Sequence, residues 1–161
     1  MKLLDTEIQI GASPEVVWSI LTDFEKYSDW NPFIKKILGK VSEGEELEVT
    51  ICSPNGNDLK FNATVKSVIK NSEFSWLGRF LFPGIFDGEH IFNISKSEGG
   101  CLLVQKENFS GLLVPLFWGS LNTDTRTAFV LMNDALKQRA ESTNYNKRLR
   151  QSNSVPLRCE A

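Results

Sequence analysis

The sequence predicts an α+β fold: one curved antiparallel sheet of about seven strands, two short helices near the N-terminus, and a long C-terminal helix laid across the sheet. Three observations predict it. Seven segments read as strands, the first by alternation and six more between turn-rich separators. The connections among those six are short, which makes consecutive strands antiparallel neighbours. Near the C-terminus the hydrophobic period then changes from strand-like to helical.

Leu3–Ile10 alternates Leu4, Thr6, Ile8 and Ile10 against Leu3, Asp5, Glu7 and Gln9, the pattern of a half-buried strand. Gly11-Ala-Ser-Pro14 breaks it. Ser13 suits an N-cap, Pro14 the first helical position, and Glu15 the positive end of the helix dipole. The helix runs to about Thr22, with Val17, Trp18 and Leu21 turned inward. A second short helix over about Asp23–Trp30 places Phe24, Tyr27 and Trp30 at intervals of three, and Pro32 stops it. Asn31, before that proline, is expected to shape the turn into the next strand.

The later strands are predicted at Phe33–Gly39, Glu45–Cys52, Leu59–Lys70, Glu73–Phe80, Phe86–Lys96 and Cys101–Phe109. Ser42-Glu-Gly44, Ser53-Pro-Asn-Gly-Asn57, Asn71-Ser72, Phe82-Pro-Gly84 and Ser97-Glu-Gly-Gly100 separate them. From about Val114 or Thr123 to Ser142, Leu121, Thr125, Ala128, Phe129, Met132, Leu136 and Ala140 recur at threes and fours. Arg126, Asp134, Lys137 and Glu141 fall on the opposite side, and Arg139 is the exception near the apolar stripe. A helix of roughly 20 residues spans about 30 Å, long enough to cover the sheet. A strongly curved sheet gripping such a helix leaves space wherever side chains are short.

At 161 residues the chain is most economically one domain with a substantial core. Its 41% hydrophobic and 24% charged residues are ordinary for a globular protein, and eleven Phe and four Trp suit a thick core or an apolar cavity. Residues 1–142 form the expected domain. Residues 143–161 are polar, basic and without periodicity, which reads as a frayed or disordered tail. The formal charge of −2 makes no case for nucleic acid, although Lys147, Arg148, Arg150 and Arg158 against Glu160 leave the tail at about +3. Cys52, Cys101 and Cys159 have neither metal-ligand spacing nor a disulfide pattern, and no metal or cofactor is indicated. An odd cysteine count with no secretory signal fits a reducing cytoplasm. The longest apolar run, Gly111–Trp118, falls far short of a membrane span.

The chemistry centres on Phe86-Asp-Gly-Glu-His-Ile-Phe92, which carries the only histidine. Strand alternation puts Phe86, Gly88, His90, Phe92 and Ile94 on one face, apolar except for one His and one Gly. That pattern points to an interior with space and polarity in it. If Ser97–Gly100 closes one hairpin, Lys96 pairs with Cys101, Phe92 with Gln105 and His90 with Glu107. If Leu81–Ile85 closes the preceding one, Phe80 faces Phe86, Gly78 faces Gly88 and Trp76 faces His90. The result is a row, Trp76–His90–Glu107, across three adjacent strands, which a one-residue slip would destroy. In such a row Glu107 would raise the His90 pKa and orient the ring, giving a general base or a hydrogen-bond anchor for a ligand. A structural His–Glu pair is the plainer alternative. Arg79, Asp87 and Glu89 have outward parity. Ser110 lacks a nucleophile context, and no glycine-rich phosphate loop is present.

Ala12-Ser-Pro-Glu-Val-Val-Trp18, Asp23-Phe-Glu-Lys-Tyr-Ser-Asp-Trp-Asn-Pro-Phe33, Gly88-Glu-His-Ile-Phe92, Glu107-Asn-Phe-Ser-Gly-Leu-Leu113 and Met132-Asn-Asp-Ala-Leu-Lys137, taken in order, resemble the SRPBCC superfamily. This is the START-like, polyketide cyclase/dehydrase-related group that shares the helix-grip fold with the birch-pollen allergen. The resemblance covers about residues 1–142 and implies a deep hydrophobic cavity between sheet and C-terminal helix. It carries over no catalytic residue, since members include lipid and hormone carriers, aromatase/cyclases and chaperone-associated modules.

The leading expectation is therefore a binder or carrier of a small hydrophobic molecule, lipid or polyketide-like. Its cavity would be lined from the sheet by Phe61, Phe74, Trp76, Phe92 and Phe109, and from the helix by Phe129 and Met132. His90, Gln105 and Glu107 would be polar anchors. The rival is a cyclase/dehydratase-like enzyme in which His90, supported by Glu107, moves protons. A third reading is an interaction module using the basic tail; the sequence names no protein partner.

Overall fold

The computed structural model describes residues 1–52, 58–80 and 82–153, and the side chains of all of these except Phe80 and 145–153. Alternation at the N-terminus produces β1 (Lys2–Ile10), which buries Leu4 and Ile10. Pro14 then opens α1 (Pro14–Leu21), whose inward face is Val17, Trp18, Ile20 and Leu21. Ser13 occupies the N-cap position with extended backbone, but its side chain makes no capping bond. Its carbonyl accepts the amides of Val16 and Val17 instead.

The second short helix is a 3-10 helix, Phe24–Asp29, as aromatic spacing of three suits a turn of three residues. Tyr27 is fully buried there and donates its hydroxyl to the Leu21 carbonyl at 2.8 Å, tying the turn to the end of α1. Asn31 shapes the next turn as expected: its Oδ1 accepts the amides of Phe33 at 2.9 Å and Ile34 at 2.8 Å.

Six strands follow, β2 (Ile34–Leu38), β3 (Glu46–Cys52), β4 (Asp58–Ile69), β5 (Glu73–Phe80), β6 (Phe86–Ser97) and β7 (Gly100–Ser110). With β1 they form one antiparallel sheet in the order β1-β7-β6-β5-β4-β3-β2. The two hairpins that decide the candidate row have the expected register, with Trp76 opposite His90 and His90 opposite Glu107.

The C-terminal helix comes in three parts: α2 (Val114–Ser120), a π-helical segment (Leu121–Thr125) and α3 (Arg126–Asn153). The widened turn falls on Leu-Asn-Thr-Asp-Thr, mostly weak helix formers just after Gly119 and Ser120. Beyond it α3 lies along edge strand β1. Arg126 donates to the Asp5 carbonyl, Lys137 to that of Gln9, and Asn133 to the Thr6 hydroxyl. Unpaired acceptors on the sheet edge are thereby covered.

One boundary differs from expectation. The helix does not stop at Ser142 but continues to Asn153. Lys, Arg, Leu and Gln in residues 146–151 favour helix without any apolar stripe to signal it. The remainder of the expected tail, 154–161, lies outside the described residues, as does the turn Ser53–Asn57.

Packing divides the space between sheet and helices in two. At one end α1, the 3-10 helix and the later part of α3 close on the sheet, with Phe74, Phe92, Leu103, Met132, Leu136 and Ala140 fully or almost fully buried. At the other end a smaller cluster, Leu4, Phe109, Val114 and Phe129, holds α2 and the start of α3 against the sheet and leaves the rest of that half hollow.

Candidate functional site

The hollow half begins with two glycines. Gly78 on β5 faces Gly88 on β6, both on the concave side. A Cβ on Gly78 would stand 2.8 Å from the Phe61 ring, and one on Gly88 would stand 2.5 Å from Glu107 Oε1. The missing side chains let Phe61 and Glu107 lie flat across the sheet. The π-helical segment forms part of the opposite wall. Between them is a cavity of ≈ 890 Å³, within the range of small-molecule sites. Its walls are largely apolar, from Phe33, Ile51 and Phe61 on one side to Leu121, Ala128 and Leu131 on the other. Leu59, Phe117 and Leu131 are partly exposed and mark where it opens.

His90 sits in the inner wall of this cavity. Its ring stacks on Phe92 at 4.5 Å between centroids and meets Trp76 and Phe129 at 4.8 Å each. Fully buried Gln105 places its side-chain nitrogen 2.9 Å from His90 Nε2 and 3.6 Å from Met132 Sδ. With the amide donating, Nε2 is the acceptor and the proton of the neutral ring is on Nδ1. That Nδ1 faces Glu107 Oε2 at 3.8 Å, too long for a direct hydrogen bond.

Burial among rings pushes the His90 pKa down to about 3. This corrects the expectation that Glu107 would raise it. The carboxyl is itself desolvated and pushed up to about 8, so near neutrality it carries a proton and offers no compensating charge. Chemically, the inner wall presents a neutral imidazole and a neutral carboxylic acid. Such an imidazole accepts a proton poorly at neutral pH, and its Nε2 is already occupied.

Of the ten residues expected in the cavity, Phe61, Trp76, His90, Glu107 and Phe109 line it. Phe74, Phe92, Gln105, Phe129 and Met132 do not: all five are fully buried in packed clusters or behind His90. Correct facial parity placed them on the concave side, but α1 and the 3-10 helix fill the end where Phe74 and Phe92 stand. Arg79, expected outward, is exposed but reaches the cavity rim. Residues missed by sequence reasoning include Phe33, Phe117 and Leu131. The adjacent pair Leu131-Met132 was the available signal, since neighbouring apolar residues on a helix serve two faces.

Among the described residues, no group of three or more His, Cys, Asp or Glu side chains could hold a metal ion, and no helix is long and apolar enough to cross a membrane.

The family described as polyketide cyclase/dehydrase and lipid transport matches residues 1–141. No curated protein matches the chain in sequence. Among solved structures, the di-domain ARO/CYC StfQ from the steffimycin biosynthetic pathway is similar over 88% of this chain, with a TM-score of 0.75 and 9% identity. The chain spans 52% of that longer protein. A START superfamily protein from Mycobacterium smegmatis is similar with a TM-score of 0.67 and 22% identity, covering 88% of this chain and 98% of its own. An AHSA1-like protein from Aeromonas hydrophila gives 0.67 and 13%, covering 89% and 94%. At these identities the likeness establishes the fold, a START-like helix grip.

Proposed function

The chain belongs to the polyketide cyclase/dehydrase and lipid transport family, and from that premise we propose that it binds a small hydrophobic molecule in the cavity between its sheet and C-terminal helix. One observation carries the reading: the ≈ 890 Å³ space has a predominantly apolar lining, with His90 and Glu107 as polar groups on its inner wall. Burying a ligand's apolar surface there supplies the affinity, at about 25 cal/mol per Å², and the polar pair orients one end. The larger buried cluster lies in the packed half of the molecule, so the core does not depend on filling the hollow half.

Native mass spectrometry of the purified protein, with solvent extraction of whatever it carries, tests this together with binding of the neutral dye Nile red. Ala128 projects from the start of α3 into the cavity, and Ala128→Trp would fill it. Wild-type protein is expected to bind the dye stoichiometrically and the filled variant to lose it while keeping the wild-type circular dichroism. A folded wild-type protein that takes up neither dye nor lipid would overturn the reading.

A further inference from the structure

Resting on that reading, we propose that the buried end of the ligand is an uncharged hydrogen-bond acceptor, a ketone or ester carbonyl, received jointly by Glu107 and by Nδ1–H of His90, and that carboxylate-headed molecules are rejected. Glu107 and His90 are opposed across β6 and β7, yet their nearest polar atoms stay 3.8 Å apart. Each therefore keeps hydrogen-bonding capacity directed into the same part of the cavity. Gln105 closes the other side of the imidazole, so only Nδ1 is presented. Gly88 gives the carboxyl its seat against the sheet.

Charge then selects among ligands. The titratable and charged groups that line the cavity with Glu107 are His90 from β6, Cys52 from β3, Asp124 from the π-helical segment and Arg79 from the rim of β5. Asp124 is engaged with the Ser120 hydroxyl at 2.6 Å, and Arg79 is exposed. No cation among the described residues stands at the inner wall. An incoming carboxylate would lose its hydration with no partner of opposite charge. A carbonyl meets two donors: the imidazole N–H and the carboxylic acid, which burial keeps protonated near neutrality.

Displacement of Nile red by methyl decanoate, dodecane and decanoate tests this, because the three have similar apolar bulk and differ at one end. Near neutral pH the ester is expected to displace the dye at about tenfold lower concentration than the alkane, with decanoate weaker than the ester. Glu107→Leu removes one of the two donors and should cut most of the advantage of ester over alkane, whereas Glu107→Gln, whose amide still donates, should keep it. In wild-type protein the advantage should decline as pH rises past about 8 and should persist in Glu107→Gln. This pH arm decides the matter even if Glu107→Leu fails to fold. Equal displacement by ester and alkane, or decanoate binding as tightly as the ester, overturns the inference and leaves the cavity reading standing. Failure of the dye and all three probes to bind removes the cavity reading itself.

Discussion

Glu107 occupies the place that a side chain on Gly88 would take: a Cβ there would lie 2.5 Å from Glu107 Oε1. The cross-strand glycine is what lets a carboxyl lie down against the floor of an apolar cavity. The next contact for that Cβ beyond the carboxyl is Phe109, at an ordinary 3.6 Å.

Gly88→Ala should therefore disturb the site more than the fold. The colliding atom is the free end of a flexible side chain, so the carboxyl can swing away at a stability change of less than about 1 kcal/mol. Its lost position should erase most of the ester-over-alkane preference. Urea denaturation and dye displacement on the same variant measure the two effects separately. A large loss of stability with unchanged ligand preference would mean the carboxyl is held rigidly elsewhere.

Stability should depend on pH in opposite senses through His90 and Glu107. His90 titrates at about 3 in the folded state against an ordinary 6.5, so the unfolded chain binds the extra proton between those values and stability rises with pH there. Glu107 is raised from 4.5 to about 8, so the folded state holds the extra proton and stability falls as pH climbs through that window. The two cancel between 4.5 and 6.5, leaving a mildly acidic plateau from this pair. Chemical denaturation across pH should show that Glu107→Gln removes a decline of up to about one proton between 6.5 and about 8, turns the plateau into a rise with pH, and leaves the slope below 4.5 alone. Parallel wild-type and Glu107→Gln curves would contradict the assignment.

Much of this arrangement was legible in the sequence because strands obey a period of two. The turn residues at Ser97–Gly100 and Phe82–Gly84 were enough to set the register that aligns Trp76, His90 and Glu107. Depth was not legible. Phe74 and Phe61 share the concave side, yet one is sealed beneath α1 and the 3-10 helix while the other borders empty space. Which end of the sheet the N-terminal helices cover is a tertiary fact without a local signature. The π-helical turn and the depressed His90 pKa escaped for the same reason. Each depends on what packs from a distant element, as when Phe129 of α3 closes over the imidazole.

Gln105 and His90 should behave as one energetic unit. Removing Gln105 as Gln105→Leu leaves Nε2 of a buried imidazole without its donor, at a cost of about 1–3 kcal/mol. His90→Phe strands the Gln105 amide with only the weak Met132 sulfur acceptor and should cost a similar amount. The double variant replaces both polar partners by apolar groups, so its loss should fall short of the sum by about 1–2 kcal/mol. Strict additivity in a thermal or urea double-mutant cycle would show that the contact contributes nothing.

Phe74 and Phe61 should separate fold from site. Phe74 is fully buried and meets Trp76 at 5.2 Å, Phe24 at 5.8 Å and Trp18 at 6.5 Å between ring centroids. Trimming it as Phe74→Leu leaves unfilled space in a closed aromatic cluster and should lower stability by about 1–3 kcal/mol. Dye affinity of the folded fraction should stay within about twofold, since nothing lost borders the cavity. Phe61 is half-buried with its ring over Gly78, so Phe61→Ala removes cavity wall and little core. Its stability loss should be under about 1 kcal/mol, because solvent already reaches the site. The apolar contact it withdraws from a ligand is worth enough to weaken dye binding roughly tenfold. Urea midpoints and dye titrations on both variants check the pair. A Phe74→Leu protein with impaired binding and intact stability, or a Phe61→Ala protein with the reverse, would place the cavity at the wrong end of the sheet.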